Sequence, residues 1–269
     1  LLVIQTFCFS QFDEVKLLQE KLINEEVTGS NVAMVYKEGK TIFFNIQNSG
    51  KVGDKNISNQ SYKPYKETLF RIWSMSKPIT TVATMILIER GVLKLNDLVS
   101  QYIPALEKMN CENENGIRPC AKQIKIIDLL THRSGLGYYG NKGYGYGYTN
   151  TIKYNTLEEF ANDLSDIVLK FEPGSGYFYG INQAVLGRVI EIASNQTFYE
   201  FLKKELFDPL EMSETKFYLS EADRYRFQPL FINTGALKGF TFELNELSYQ
   251  ENSQAYFCLL YTSPSPRDS

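Results

Sequence analysis

Ser74 and Lys77 stand three residues apart in Phe70-Arg71-Ile72-Trp73-Ser74-Met75-Ser76-Lys77-Pro78-Ile79-Thr80. At that spacing on a helix two side chains share a face, so the hydroxyl and the amine can touch. A lysine held in an apolar site gives up its charge readily and can take the serine's proton. This is one of few routes to a nucleophilic serine that needs no histidine. The S-x-x-K pair alone is a weak signal. Composition gives about one chance match in a chain of this length, and a second pair occurs at Ser213-Glu214-Thr215-Lys216. That copy lies in a polar, alternating stretch, where its lysine is expected to stay solvated. Tyr179 is the third candidate, in Phe171-Glu172-Pro173-Gly174-Ser175-Gly176-Tyr177-Phe178-Tyr179-Gly180-Ile181-Asn182. A phenol near an ammonium has a lowered pKa and could pass a proton between serine and leaving group. The alternative is a core tyrosine at a helix start.

The totals narrow the chemistry. The chain has 269 residues, 43% hydrophobic and 22% charged, as expected of a globular protein of one large or two small domains. A net charge of -3 implies no general affinity for nucleic acid. No apolar run reaches the ~18 residues that span a bilayer. The single histidine, His132, makes a histidine-based metal site unlikely on ligand count alone. A Ser-His-Asp triad would have to use it, and no G-x-S-x-G elbow accompanies it. Placed just after a short apolar helix, His132 reads as a structural or capping residue. Gly135-Leu136-Gly137-Tyr138-Tyr139-Gly140 fits the dinucleotide fingerprint, but it follows a helix rather than a strand, and more glycines come where a helix should begin. The tyrosines of 135–148 fit either a cleft lining or ordinary loop packing.

The elements that must position these groups follow from periodicity. Phe12, Val15, Leu18 and Leu22 predict a helix over 12–26. Asn31 to Lys37 and Thr41 to Gln47 predict a hairpin about Glu38-Gly39-Lys40. Leu69 to Ile72 is a short strand leading to Ser74. Ser76 to Arg90 is a nearly all-apolar, hence buried, helix, with Pro78 tolerated in its first turn and Gly91 as its stop. Its N-terminus favours developing negative charge at the serine. Further helices are predicted at about 124–131, 156–170, 181–194 and 197–207, two of them opened by capping boxes, Thr156 with Glu159 and Thr197 with Glu200. Two or three strands make a thin sheet for this length.

The ends read differently from the middle. Residues 1–11 read as a signal-peptide remnant cut near Ser10-Gln11, or as a short buried strand. The first reading implies an exported protein, periplasmic or secreted, and the second leaves the cytoplasm open. Residues 258–269 resemble the translation of a sequencing adapter and are set aside. Of four cysteines, Cys111 and Cys120 then remain. They bracket a polar loop from Glu112 to Pro119 and are either bridged, as suits an exported protein, or free thiols.

Three ordered motifs carry a family likeness. They are Phe70 to Thr80, Ile126-Ile127-Asp128-Leu129-Leu130-Thr131-His132-Arg133-Ser134-Gly135-Leu136, and Pro173 to Glu191. With Asp208-Pro209-Leu210-Glu211-Met212, the stretch from about 12 to 225 resembles the serine β-lactamase-related hydrolases, with class C β-lactamases, family VIII carboxylesterases, D-amino-acid peptidases and penicillin-binding-protein-like members. The resemblance implies an α+β fold, an antiparallel sheet flanked by helices plus an all-helical lobe, in one domain over 12–257. It implies Ser74 as nucleophile, Lys77 as base or charge relay, and Tyr179 as the tyrosine of a Y-x-N motif, with no metal and no cofactor. Partners would be small-molecule esters, amides or β-lactams, not nucleic acid. Two departures matter. Ile181 stands where the asparagine of Y-x-N would be, and Asn182 comes one residue late, which favours esterase over β-lactam chemistry. The third motif, expected on a strand far downstream that also gives the second oxyanion donor, is imitated too early by Asn233-Thr234-Gly235. The sequence thus reads as C-terminally truncated, lacking the last strands of its sheet, and as impaired by itself. The reading is a serine hydrolase of the esterase type. The alternatives are a β-lactamase or peptidase, or a non-catalytic sensor or scaffold.

Overall fold

The computed structural model describes residues 2–48, 67–137, 154–220, 222–223, 230–232, 240–242 and 261–262. It divides into two compact units. One comprises Leu1–Arg71, Leu219–Tyr249 and Tyr261–Ser269, the other Ile72–Tyr218 and Gln250–Leu260.

In the first unit, helix α1 (Leu2–Asn24) precedes a hairpin of β1 (Ser30–Lys37) and β2 (Lys40–Asn48). The helix already begins at Leu2, so the short strand expected for the first residues does not form. Glu38 and Gly39 both have positive φ, 51° and 76°, as a two-residue turn matched to strand twist requires. Ser30 pairs with Asn48 and Val32 with Ile46, and the register slips by a bulge between Val35 and Tyr36. Helix and hairpin meet through a stacked pair, Phe12 on Phe43 at 4.8 Å. Buried Gln19 adds a polar clamp. Its Nε2 donates to Asn31 Oδ1 at 2.6 Å, and its Oε1 accepts from Asn45 Nδ2 at 3.0 Å. Strand β3 (Phe70–Arg71) pairs antiparallel with β9 (Tyr261–Thr262), which lies in the segment set aside above. β7 (Leu230–Ile232) pairs with β8 (Phe240–Phe242). The described strands therefore form small separate sheets.

The second unit is mainly helical. Helix α5 (Asn182–Ser194) is its axis, with Asn182 to Gly187, Val189 and Ile190 all buried. Helices α2 (Lys77–Glu89), α3 (Ile126–Leu130), α4 (Leu157–Asp163) and α6 (Phe198–Leu202) pack around it. Leu157, Leu186, Val189, Phe160, Phe198 and Phe201 are almost wholly buried, each contributing about 1.5–3 kcal/mol. Of the two expected capping boxes one forms in full, and at the other the Glu159 carboxylate accepts from Asn155 N rather than from Thr156 N. Thr156 Oγ1 accepts from Glu159 N at 3.1 Å, and Thr197 and Glu200 form the full reciprocal box. α6 runs on into a π turn over Lys203–Phe207.

Three local expectations fail. The predicted helix over 156–170 stops after a 3₁₀ turn (Leu164–Asp166), and Val168–Leu169 form β6 instead. The polar loop after Cys111 is a hairpin, β4 (Asn110–Asn113) with β5 (Gly116–Pro119), and β6 joins β4 in parallel. Cys111 and Cys120 close that hairpin with a disulfide, Cα to Cα 5.0 Å. Helix α2 is buried on one face only. Thr80, Ala83, Thr84 and Leu87 pack inward, whereas Val82 and Met85 are exposed. Three of these four inward residues are small, which lets α2 approach α5 closely.

Candidate active site

Ser74 sits on a 3₁₀ turn (Trp73–Ser76) that runs directly into α2. In a 3₁₀ turn the side chains at i and i+3 eclipse one another. Ser74 and Lys77 are therefore stacked, and Lys77 Nζ donates to Ser74 Oγ at 3.1 Å. Just before the serine, Trp73 takes φ 41°, a left-handed conformation that costs a bulky residue of order 1–3 kcal/mol.

Tyr179 brings the third group. Its Oη lies 2.7 Å from Ser74 Oγ, with either oxygen able to donate. Lys77 Nζ lies 4.9 Å from the centre of the Tyr179 ring, within cation–π range. The serine oxygen is thus held between a phenol and an ammonium. Ser74 and Tyr179 are both exposed, so a substrate can reach them.

The segment carrying Tyr179 is fastened at its start to residues 121 and 122 and from Gly174 onward to the strip 132–137. At its start, the Glu172 carboxylate accepts from Ala121 N at 2.9 Å and Lys122 N at 3.2 Å. Gly174 N donates to Arg133 O at 2.8 Å, and the Arg133 guanidinium bonds back to Gly174 O. Two glycines allow the closest approach. A Cβ on Gly137 would lie 2.0 Å from the Phe178 ring, and one on Gly180 would lie 2.3 Å from Leu136 O. The glycines at 135 and 137, which mimic a dinucleotide fingerprint, serve this packing. Residues 138–140 of that motif, like the tyrosines of 138–148, lie outside the described residues.

His132 is the centre of the fastening. With φ 55°, it turns the chain after α3. Its carbonyl accepts from Phe178 N at 2.9 Å. Its Nδ1 contacts Asn182 Nδ2 at 2.9 Å and accepts from Gly180 N at 3.4 Å. Its ring lies 4.8 Å from that of Tyr179. Burial first, and then the nearby Lys77 ammonium, push the imidazole below the ordinary histidine value. Asn182 is wholly buried; it also donates to Leu136 O at 3.3 Å and accepts from Ser134 Oγ. Sequence reasoning identified His132 as structural but expected its ring at helix carbonyls. The ring instead accepts from the Tyr179 segment. The roles of Ser134 and Asn182 were missed, because polar contacts between remote segments leave no periodic trace.

The other sequence candidates separate cleanly. Ser213 to Lys216 form a turn and a bridge rather than a helix, so the second S-x-x-K pair does not share a helix face. Lys216 is not solvated as expected. Its side chain is 20% exposed and lies 3.7 Å from the Glu214 carboxylate. Ile181 is buried in the core, and Asn182 turns to His132, so neither offers an amide to Ser74 in the described contacts. Asn233-Thr234-Gly235 lies outside the described residues. Among the described residues, the one cluster with metal-ligand spacing is Cys111, Cys120 and Glu172, whose two sulfurs are spent in the disulfide. No described helix is long and apolar enough to cross a membrane.

Comparison with known proteins bears on this geometry. The chain is similar to Esterase EstB of Burkholderia gladioli, 30% identical over 202 residues, 72% of this chain and 48% of that one. It is also similar to the lovastatin esterase of Penicillium rubens, 28% identical over 177 residues, 62% of this chain and 44% of that one. The chain spans about half the length of these curated relatives. Among solved structures it resembles EstCE1, a hydrolase with promiscuous acyltransferase activity, with TM-score 0.67 and 24% identity, covering 93% of this chain and 68% of that one. It also resembles unliganded simvastatin synthase (LovD) from Aspergillus terreus, with TM-score 0.69 and 19% identity, covering 93% and 63%. These likenesses agree with the α+β, β-lactamase/transpeptidase-like fold expected from the sequence. The family model described as Beta-lactamase matches residues 18–236, and the chain belongs to that family.

Proposed function

We propose that the protein is a serine hydrolase of the esterase type, acting through an acyl-enzyme on Ser74. The observation that carries this reading is the convergence of Lys77 Nζ and Tyr179 Oη on Ser74 Oγ, at 3.1 and 2.7 Å. In this mechanism Tyr179 reacts as the phenolate, its negative charge balanced by the Lys77 ammonium; as Oγ attacks an ester carbonyl, the serine proton passes to Tyr179 Oη and leaves a neutral phenol. Tyr179 then returns the proton to the departing alcohol. Water then gives a proton to the same phenolate and attacks the acyl carbonyl, and Tyr179 hands that proton to Ser74 Oγ as the acid departs, which restores both residues. The start of α2 favours negative charge at the serine. Esters are favoured over β-lactams because Ile181 occupies the position where an amide-reading asparagine would stand. The named activities of EstB and of the lovastatin esterase point the same way. A disulfide at Cys111–Cys120 suits an oxidising compartment, which favours an exported protein.

The test pairs p-nitrophenyl butyrate with a chromogenic cephalosporin, with Ser74→Ala as control. The expected result is ester turnover that Ser74→Ala abolishes, with little or no cephalosporin hydrolysis. Equal turnover by Ser74→Ala would remove this serine from the mechanism. Cephalosporin hydrolysis exceeding ester hydrolysis would replace the esterase by a β-lactamase.

A further inference from the structure

The hydrogen bonds around Asn182 determine the protonation state of His132. Leu136 O can only accept, so the Asn182 atom facing it, at 3.3 Å, must be the NH₂ group. The other amide atom, Oδ1, then accepts from Ser134 Oγ, which in turn accepts from Leu136 N at 3.0 Å. With the amide so oriented, it is the NH₂ that faces His132 Nδ1 at 2.9 Å. Gly180 N–H points to the same nitrogen. Nδ1 is therefore offered two donors and has to be a lone-pair acceptor. In neutral imidazole the proton then sits on Nε2.

We propose that His132 is a positioning residue that holds the Tyr179 segment in place only in its neutral, Nε2–H form. Residues 178, 180 and 182 all bond to it, so Tyr179 is bracketed on both sides. A proton on Nδ1 would oppose both the Asn182 and the Gly180 donors, and the described contacts of that nitrogen include no acceptor to receive it. Protonation therefore frees residues 180 and 182 and lets Tyr179 Oη leave Ser74. The charged and titratable groups about the ring do not offset this. α2 presents the Lys77 ammonium, which repels a second positive charge. The segment 171–181 presents the phenols of Tyr177 and Tyr179. Arg133, next in the chain, is tied to Gly174 O, and Asp128 of α3 turns its carboxylate to Lys125 N at 2.9 Å. The inference rests on the serine hydrolase reading for its catalytic meaning, but not for its test.

His132 is the chain's single histidine, so its ring signals need no assignment. Two-bond proton–nitrogen correlation spectra of the ¹⁵N-histidine-labelled chain, followed through a pH titration, should show Nε2–H, an unprotonated Nδ1, and a midpoint below the ordinary 6.5. In Asn182→Asp the acceptor facing Nδ1 should move the proton to that nitrogen and raise the midpoint by a unit or more. An Nδ1–H ring in the wild-type chain, a midpoint at or above 6.5, or an unmoved midpoint in Asn182→Asp would overturn the proposal. In turnover, His132→Asn keeps an acceptor near Nδ1 and tolerates the left-handed backbone, so whatever its plateau rate, its pH profile should lose the acid-side fall due to this ring. An acid limb identical to wild type would count against the proposal. The two readings separate clearly. The expected spectra with no fluorophosphonate labelling of Ser74 would sink the catalytic reading and leave the clamp. Labelling with an Nδ1–H ring would do the reverse.

Discussion

Gly180→Ala is the sharpest probe of how the site is assembled. The new methyl carbon would lie 2.3 Å from Leu136 O, 2.6 Å from Gly137 Cα and 2.8 Å from Gly137 C, where ordinary contact begins near 3.4 Å. All three are backbone atoms of the strip that the Tyr179 segment is fastened to, so no side chain can swing aside. Relief takes a shift of about 1 Å between the two segments, comparable to the misplacement that costs ~10²-fold in an aligned site. Overpacking of this kind costs about 1–3 kcal/mol. The Ser74–Tyr179 contact, 2.7 Å long, does not survive such a shift. We expect fluorophosphonate labelling of Ser74 to slow by about 10²-fold, with a urea midpoint lowered to match. Gly187→Ala is the control. Its methyl would meet side chains and no backbone, Leu157 Cδ1 at 3.1 Å and the Phe198 ring at 3.2 Å, and would gain about 1 kcal/mol of helix propensity. Labelling should then be unchanged. If Gly180→Ala labels within threefold of wild type and unfolds at the same urea concentration, the fastening does not set the position of Tyr179.

Tyr179→Phe keeps the ring beside Lys77 but removes the oxygen, so Ser74 labelling should fall ~10²–10⁴-fold with an unchanged urea midpoint; Lys77→Met should also slow labelling, and normal rates in either variant would exclude that side chain. Replacing Cys111 and Cys120 by alanine opens a loop of sequence separation 9 and should cost about 3 kcal/mol, read as a lower urea midpoint; a midpoint indifferent to dithiothreitol would mean that the bridge is absent or idle. Folding holds His132 below 6.5, so on acidification the unfolded chain binds the proton first. Stability should therefore decline as pH falls through about 6.5 and stop declining below the folded value. His132→Asn should remove that part of the decline, and an unchanged slope would contradict the assignment.

What could be read from sequence followed the range of the contacts. The β1–β2 hairpin was legible because Glu38-Gly39 supplies a local turn with positive φ between alternating runs. The Ser74–Lys77 contact was legible because three residues on a helical turn fix it. Tyr179 could be singled out as a candidate phenol at a helix start, but only the family likeness paired it with Ser74, since no spacing rule links residue 179 to 74. The β4–β5 hairpin was missed because Asn-Cys-Glu-Asn carries no apolar alternation, and its pairing rests on backbone bonds and a disulfide. β6 was missed because Ile167, Val168 and Leu169 continue an apolar pattern that suits helix and strand alike. The all-apolar face of α2 invited full burial, but its buried side takes Thr80, Ala83, Thr84 and Leu87 and leaves Val82 and Met85 outside. The links among His132, Ser134 and Asn182 were invisible because each polar side chain reads singly as a cap or a helix start.

The hydrogen bond between Ser74 and Tyr179 joins residues separated by 105 positions. Such a contact forms late, after the entropy of closing a long loop has been offset by the core around α5. Until then Ser74 is an ordinary hydroxyl, because Lys77 alone lies near it in the chain. On the mechanism proposed above, nucleophilicity is acquired at the end of folding, and a nascent or partly unfolded chain would remain inert toward esters. The rate at which an activity-based probe begins to label Ser74 after dilution from urea is consequently a folding clock for this unit, read at a single atom.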